Sequence, residues 1–145
     1  MKIIFDMDGT IADLYGVENW LFMLRAEDTS PYINAKPLVN MSRLAKAIHK
    51  AQRLGVIIAI VSWGALASSN EYLKQTATAK REWLTKHLPS VIFDEIAITP
   101  YGENKSNYAD KNSILFDDNE KIRNDFIGKA YDPCEIFNIL KTISE

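Results

Sequence analysis

The stretch KIIFDMDGT, residues 2–10, indicates the architecture of the whole chain. Its first part, Ile3 to Phe5, is a short run of continuous apolar residues, which is typical of a strand buried on both faces of a parallel sheet. Its second part places Asp6 and Asp8 directly after that run, and Gly9 suits a tight turn. The stretch therefore predicts a buried strand that ends in a compact acidic loop.

Other strands and helices alternate along the rest of the chain. Further apolar runs, each bounded by polar or turn residues, lie at 56–61, 91–98, 114–116 and, more weakly, 129–131. Helical patterns lie at 14–24, from the capping residue Asn40 to the stop at Gly55, from the capping-box pair Ser68 and Glu71 to Pro89, and from Asp132 onward. This alternation predicts an α/β fold with a doubly wound, mostly parallel sheet. We expect one domain over residues 1–145, with 11–39 as a small cap or insert.

Composition and charge exclude several classes of protein. Cys134 is the only cysteine, so an internal disulfide and a multi-cysteine zinc site are excluded. The net charge of −2 provides no overall attraction to nucleic acid or to an anionic membrane. No apolar run approaches the length of a membrane span, and the first apolar stretch is too short for a signal peptide. We expect a cytoplasmic protein without a nucleic-acid or membrane partner, and the sequence does not define its oligomeric state.

Polar residues follow three of the predicted strands. The first strand ends in Asp6 and Asp8, the second in Ser62, and the fourth in Asp117 and Asp118. In doubly wound sheets, ligands bind outside the carboxyl ends of the strands, so these residues are expected to meet. Carboxylates that share one cleft repel each other, and a hard cation with oxygen ligands relieves that repulsion. The pattern therefore predicts a magnesium site.

A magnesium site of this kind can also support phosphate chemistry. The ion can bridge protein and substrate oxygens, and a carboxylate can attack phosphorus to form an aspartyl-phosphate. A neighbouring aspartate can protonate the leaving oxygen and later activate water. A hydroxyl and a lysine would complete the phosphate site, and Ser62 and Lys105 are the candidates. Lys111 is the alternative lysine, but it lies three residues before the predicted strand at 114 and is expected to point to solvent.

These residues, in this order, resemble the motifs of the haloacid dehalogenase-like superfamily of phosphatases. Residues 6–10 match its first motif, DxDGT after an apolar strand, and Ser62 matches the second. Lys105 matches the third motif, and residues 114–118 match the fourth. The resemblance extends from residue 2 to about residue 133.

The resemblance implies a role for each matched residue. Asp6 would be the nucleophile and a magnesium ligand, and Asp8 would be the acid and base that binds the metal through its backbone carbonyl. Asp118 would be the third protein ligand, assisted by Asp117. The phosphate-binding group would consist of Thr10, which also supports the loop, Ser62 and Lys105.

Within the superfamily, three stretches resemble the 5′(3′)-deoxyribonucleotidase branch, namely 6–13, 80–84 and 130–133. This similarity implies a magnesium-dependent phosphomonoesterase that acts on a nucleoside or deoxynucleoside monophosphate. The branch carries a helical cap between the first two motifs, whereas only about thirty residues, 11–39, precede the next helix here. A small cap or an open site is therefore expected. An open site would instead suit the phosphate of a nucleic-acid end or of a phosphoprotein.

Three interpretations from other classes of protein compete with this one. A non-catalytic magnesium-binding interaction module is compatible with the same fold, because fold does not imply activity. An EF-hand is excluded, because Gly9 falls too early and Val17 occupies the place of the terminal glutamate. A response-regulator receiver would carry its phosphorylated aspartate on a later strand, where this chain has Ser62.

The sequence also predicts the environment or role of several residues outside the motifs. Lys80 is predicted to lie on a helix surface, and His49, His87 and Cys134 have no partner spacing that indicates a site. Trp20, Phe22 and Met23 are candidates for lining the substrate entrance, although packing in the core would explain these apolar residues equally well. Arg25, Glu27 and Asp28 are candidates for selecting the leaving group.

Overall fold

The computed structural model describes all residues from Met1 to Glu145. Its strands are β1 (Lys2–Phe5), β2 (Ala12–Asp13), β3 (Lys36–Pro37), β4 (Ile57–Trp63), β5 (Glu95–Thr99), β6 (Ser113–Phe116) and β7 (Lys129–Tyr131). Its α-helices are α1 (Trp20–Arg25), α2 (Ser30–Asn34), α3 (Met41–Arg53), α4 (Asn70–His87), α5 (Glu120–Asp125) and α6 (Ile136–Ser144). None of these helices combines the length and the apolarity needed to span a bilayer.

Five strands form one parallel sheet in the order β5-β4-β1-β6-β7. From the central β1 the chain proceeds outward through β4 and β5, and then returns to the other side of β1 to form β6 and β7. The predicted α/β fold with a doubly wound parallel sheet is confirmed. A reversal of this kind opens a crevice at the carboxyl ends of the strands on either side of it, here β1 and β6.

The apolar run of β1 is buried on both faces of the sheet. Ile3 and Phe5 belong to the larger core, which α3, α6 and the end of α4 complete on one side. Ile4 points to the other face and packs with Leu115 and Phe126. Continuous apolarity at this strand therefore reflects burial on both sides, as predicted.

Local signals define the ends of the two long helices. The side chain of Asn40 accepts a hydrogen bond from the first turn of α3, and Gly55, with φ +83°, follows the end of that helix in the left-handed region. The predicted capping residue Ser68 is wrong by one position, because Ser69 accepts the bond from the backbone N–H of Tyr72 and caps α4.

The strand predicted at 91–98 begins later, at Glu95. The carboxylate of Asp94 accepts a hydrogen bond from the backbone N–H of Ile58 at 2.8 Å, in the place where a strand carbonyl would pair. The backbone N–H of Asp94 still donates to the carbonyl of Ile58 at 2.8 Å, so the side chain replaces only the acceptor for the Ile58 N–H, and the ladder with β4 starts at Glu95.

The helix predicted at 14–24 is interrupted. A short 3₁₀ turn occupies Leu14–Gly16, where Asp13 accepts a hydrogen bond from the backbone N–H of Gly16. Asn19 then takes a left-handed conformation with φ 61°, and α1 starts after it. Glycine has low helix propensity, which favours a separate turn over one continuous helix.

An insert, defined as residues 14–35, lies between the antiparallel strands β2 and β3. Two side chains of α4 hold it against the sheet domain. The hydroxyl of Tyr72 donates to the carbonyl of Asp28 at 2.7 Å, and the indole N–H of Trp83 donates to the carbonyl of Ala35 at 2.8 Å.

Candidate active site

The carboxyl ends of β1 and β6 bring distant acidic residues together. Asp6 directly follows β1, and Asp117 and Asp118 directly follow β6. One carboxylate oxygen from each of these three residues lies within 4.8 Å of the others. The backbone N–H of Asp6 donates to the carbonyl of Phe116 at 2.9 Å, which joins the two strand ends. The cluster is thus a direct consequence of parallel pairing between β1 and β6.

Lys105 supplies the positive charge inside this cluster. Its ammonium group donates to Asp6 Oδ1 at 2.9 Å and to Asp117 Oδ2 at 2.7 Å, and its side chain is 2% exposed. Burial alone would lower the pKa of Lys105, but the two carboxylates outweigh burial and raise the pKa. The ammonium therefore stays charged. The alternative lysine, Lys111, is exposed and forms no hydrogen bond or ion pair.

Thr10 and Gly9 allow the loops after β1 and β6 to meet. The hydroxyl of Thr10 donates to Asp6 Oδ2 at 3.0 Å and accepts from the backbone N–H of Asp118 at 3.2 Å. Gly9 has φ +79°, and a Cβ atom there would collide with the Asp118 carboxylate. Thr10 is fully buried, and its hydrogen bonds stabilise the loop after β1. Its contact with a phosphate stays a prediction.

Asp8 has a different partner from the other acids. Lys80, on α4, donates to Asp8 Oδ2 at 2.8 Å and to the hydroxyl of Ser62 at 2.7 Å. The prediction that Lys80 lies on a helix surface is wrong, because this face of α4 packs against the end of β4 and leaves the side chain 1% exposed. Burial raises the pKa of Asp8, while the Lys80 charge opposes that rise. Ser62 is fully buried beneath this pair, and its contact with a phosphate stays a prediction.

Burial and neighbouring negative charges raise the pKa values of the two acids that follow β6. Burial, followed by the charges of Asp6 and Asp117, raises the pKa of Asp118 to about 7. Burial and the charge of Asp6 also raise the pKa of Asp117, although Lys105 opposes them. One ammonium group therefore does not offset all the negative charge in the cluster.

Comparison with known proteins identifies the fold. No family model and no curated protein matches this sequence. Among solved structures, the crystal structure of D,D-heptose 1,7-bisphosphate phosphatase from Burkholderia thailandensis is similar, with a TM-score of 0.52 and 9% sequence identity. The similarity covers 96% of this chain and 97% of that chain. This chain has a haloacid dehalogenase-like fold. At this identity the similarity concerns the fold alone.

A cavity of about 490 Å³ opens beside the acidic cluster of this haloacid dehalogenase-like fold. Its volume lies within the range of about 300–1,000 Å³ that is typical of small-molecule sites. Asp6, Asp8, Lys105, Asp117 and Asp118 all line it. The remaining walls are mostly apolar, and they come from the insert, from the segments after β4 and β5, and from α5.

The aromatic residues of the cavity differ in part from those expected at the entrance. Of the three candidates, Trp20 lines the cavity, whereas Phe22 and Met23 do not. Phe22 is instead 75% exposed. Tyr101 and Trp63, which the sequence did not single out, also line the cavity, with ring centroids 4.9 Å apart.

Only one of the three candidates for leaving-group selection borders the cavity. Arg25 lines it, whereas Glu27 accepts hydrogen bonds from the backbone N–H and the hydroxyl of Ser69, both at 2.8 Å. Asp28 accepts bonds from Ser30 within the insert. Glu27 and Asp28 therefore stabilise the insert and its contact with α4.

The donor set at the acidic cluster fits a magnesium ion. Asp6, Asp117 and Asp118 supply only hard carboxylate oxygens, which magnesium prefers. Burial and the charges of Asp6 and Asp117 raise the pKa of Asp118, and a divalent cation would offset those charges. Asp8 lies outside this set of clustered carboxylates, and its Oδ2 is paired with Lys80.

Proposed function

We propose that this chain is a magnesium-dependent phosphomonoesterase that forms an aspartyl-phosphate on Asp6. The proposal depends on one observation, namely that Asp6, Asp8, Asp118 and Lys105 all line the same cavity. The haloacid dehalogenase-like fold, which the chain shares with a solved phosphatase, supports it by analogy.

Each residue has a role in the proposed reaction. Asp6 attacks phosphorus and forms an O–P bond while the bond from phosphorus to the leaving oxygen breaks. Asp8 gives a proton to that oxygen, and then takes a proton from the water that attacks phosphorus and releases Asp6. Lys105 holds Asp6 in place and offsets charge on the phosphoryl group.

Magnesium has a supporting role in this proposal. Asp6, Asp118 and the backbone carbonyl of Asp8 would hold the ion, with Asp117 assisting. The bound cation supplies positive charge that offsets the charge of the phosphate and of the surrounding carboxylates. The clustered oxygens of Asp6, Asp117 and Asp118 support this assignment.

The proposed function is tested by phosphate release from a panel of monophosphates, including nucleotides, sugar phosphates and a 5′-phosphorylated oligonucleotide. We expect release from at least one small ester in the presence of magnesium, and none after chelation with EDTA. The oligonucleotide distinguishes a small-molecule site from one that acts on nucleic-acid ends. A purified, folded chain that releases phosphate from no ester would contradict the proposal.

Magnesium is expected to stabilise the folded chain. A ligand that binds only the folded state at 100 times its Kd adds about 2.7 kcal/mol to the free energy of unfolding, which is observable as a rise in the melting temperature. We expect this rise for the wild type and its loss in Asp118→Asn, which removes one clustered carboxylate. Asp125→Asn, at an exposed position on α5, is the matched control and should retain the rise. Equal rises in both variants would place the ion elsewhere.

The proposed substrate is a nucleoside or deoxynucleoside monophosphate. The aromatic walls of the cavity support this choice, because a base can stack on a tyrosine or tryptophan ring. Tyr101 is the best placed for such a contact, since it lines the cavity, packs against Trp63, and remains 54% exposed.

Tyr101→Ala is expected to raise KM for a nucleoside monophosphate without a comparable change for ribose 5-phosphate. Stacking of a base on an aromatic ring contributes about 1–3 kcal/mol, which corresponds to roughly 5- to 150-fold in KM. Steady-state kinetics on both esters measure the difference. Ile127→Ala, exposed and outside the cavity, is the control for loss of apolar surface. A similar loss for both esters would exclude base stacking at this position.

A further inference from the structure

A lysine that the proposed reaction does not use lies next to its acid and base. The side chain of Lys80 is 1% exposed, and its ammonium donates to Asp8 Oδ2 at 2.8 Å, to Ser62 Oγ at 2.7 Å and to the carbonyl of Trp63 at 2.9 Å. An ammonium group has three N–H donors, so all of them are used within the protein. Lys80 also does not line the cavity. It is therefore not placed to bind a substrate itself.

The bond from Lys80 makes the two carboxylate oxygens of Asp8 unequal. Lys80 holds Oδ2, whereas Oδ1 has no hydrogen-bond partner, and Asp8 borders the cavity. Because Ser62 and Trp63 belong to β4, the ammonium anchors this carboxylate to a strand inside the sheet. The ring of Tyr32, from the insert, lies 5.0 Å from the ammonium and helps to keep water from the ion pair.

We propose that Lys80 is a positioning residue that holds Asp8 so that its free oxygen exchanges the proton in both steps. The inference rests on the proposed function. In the first step the proton passes from Asp8 to the leaving oxygen as the bond from that oxygen to phosphorus breaks. In the second step a water proton passes to Asp8 as the water oxygen bonds to phosphorus and the Asp6–phosphorus bond breaks. Without Lys80 the carboxylate remains but is free to rotate.

Lys80→Met tests this role through its dependence on the leaving group. Two esters are compared in the first turnover, namely p-nitrophenyl phosphate, whose leaving group needs no proton, and the alkyl monophosphate that the wild type hydrolyses fastest. Positioned general acids contribute about 10²–10⁴-fold, so we expect about a 10²-fold loss with the alkyl ester and less than about tenfold with the aryl ester. The aryl ester should then show a burst of p-nitrophenol and slow turnover, because the second step still needs Asp8.

Two controls separate positioning from a loss of structure. Lys74→Met removes an exposed lysine from the same helix and should leave both rates unchanged. Asp8→Asn is compared with the double variant Asp8→Asn, Lys80→Met. The double variant removes both charges of the ion pair and leaves neither buried without a partner, so it serves as the test if the single Lys80 variant does not fold. Since Lys80 acts through Asp8, its loss in the Asp8→Asn background should change the first-turnover rate with the aryl ester by less than about twofold.

The outcomes distinguish this inference from the proposed function. An active wild type in which Lys80→Met lowers both first-turnover rates equally overturns the positioning role and leaves the phosphatase proposal intact. If the rate losses of Asp8→Asn and Lys80→Met multiply in the double variant, the two residues act independently, and the positioning role is likewise overturned. A wild type that hydrolyses no ester overturns both proposals.

Discussion

Asp6→Asn is expected to lower phosphate release by at least about 10³-fold, because an amide cannot replace the nucleophile of a covalent mechanism. The fold should survive, since Lys105 keeps its 2.7 Å bond to Asp117 and the change removes one of several crowded negative charges. Initial rates of phosphate release with saturating magnesium measure the loss, and the melting temperature reports the fold.

A phosphoryl mimic makes the same variant diagnostic of covalent chemistry. Beryllofluoride should form an adduct on Asp6 in the wild type, visible by ¹⁹F NMR, and none in Asp6→Asn. Asp125→Asn, an exposed acid on α5, is the control and should retain both the adduct and the activity. Full activity in Asp6→Asn would exclude the aspartyl-phosphate, even if the chain proved to be a phosphatase.

The sequence predicted the meeting of Asp6 with Asp117 and Asp118 because the rule behind it is topological. Strands that pair in parallel place their carboxyl ends at one edge, whatever the details of the helices between them. The short apolar runs that precede these residues were sufficient to locate β1 and β6. The site was predictable to the extent that it depends on strand ends alone.

Features that depend on helix orientation were not predicted from the same sequence. Lys80 falls on the buried face of α4 together with Tyr72, Thr76 and Trp83, at spacings of three and four residues. That spacing was the available signal, but a lysine on such a face is buried only if a partner charge exists. The partner is Asp8, which is distant in sequence, so the pair could be identified only in the folded chain.

The walls of the cavity were predicted only in part for a similar reason. Tyr101 follows the carboxyl end of β5 and Trp63 ends β4, so strand ends again indicate their neighbourhood. Whether an aromatic ring there faces the cavity or the core depends on the loop conformation. The left-handed conformation of Asn19, which precedes α1 and interrupts the helix predicted at 14–24, was likewise not indicated by apolar spacing.

Lys105→Met is expected to have the largest effect on stability of any single change at the site. Asp6 and Asp117 both lose an ammonium at hydrogen-bond distance, and the Asp117 side chain is 1% exposed. Removal of one partner from a buried ion pair costs about 3–5 kcal/mol, because the remaining charge is buried without compensation. Urea unfolding in the absence of magnesium measures this loss. Activity should fall as well, by about 10²–10³-fold, the range for loss of one preorganised donor to developing charge.

Added magnesium and a change at Lys111 test whether these losses arise from the charge of the acidic cluster. Added magnesium should raise the unfolding free energy of Lys105→Met more than that of the wild type, since the ion offsets the same carboxylates that the lysine offsets. Lys111→Met, the matched change at an exposed lysine, should alter stability by less than about 0.5 kcal/mol and leave activity intact. Equal losses of activity in the two variants would contradict the assignment of Lys105, rather than Lys111, as the lysine of the reaction.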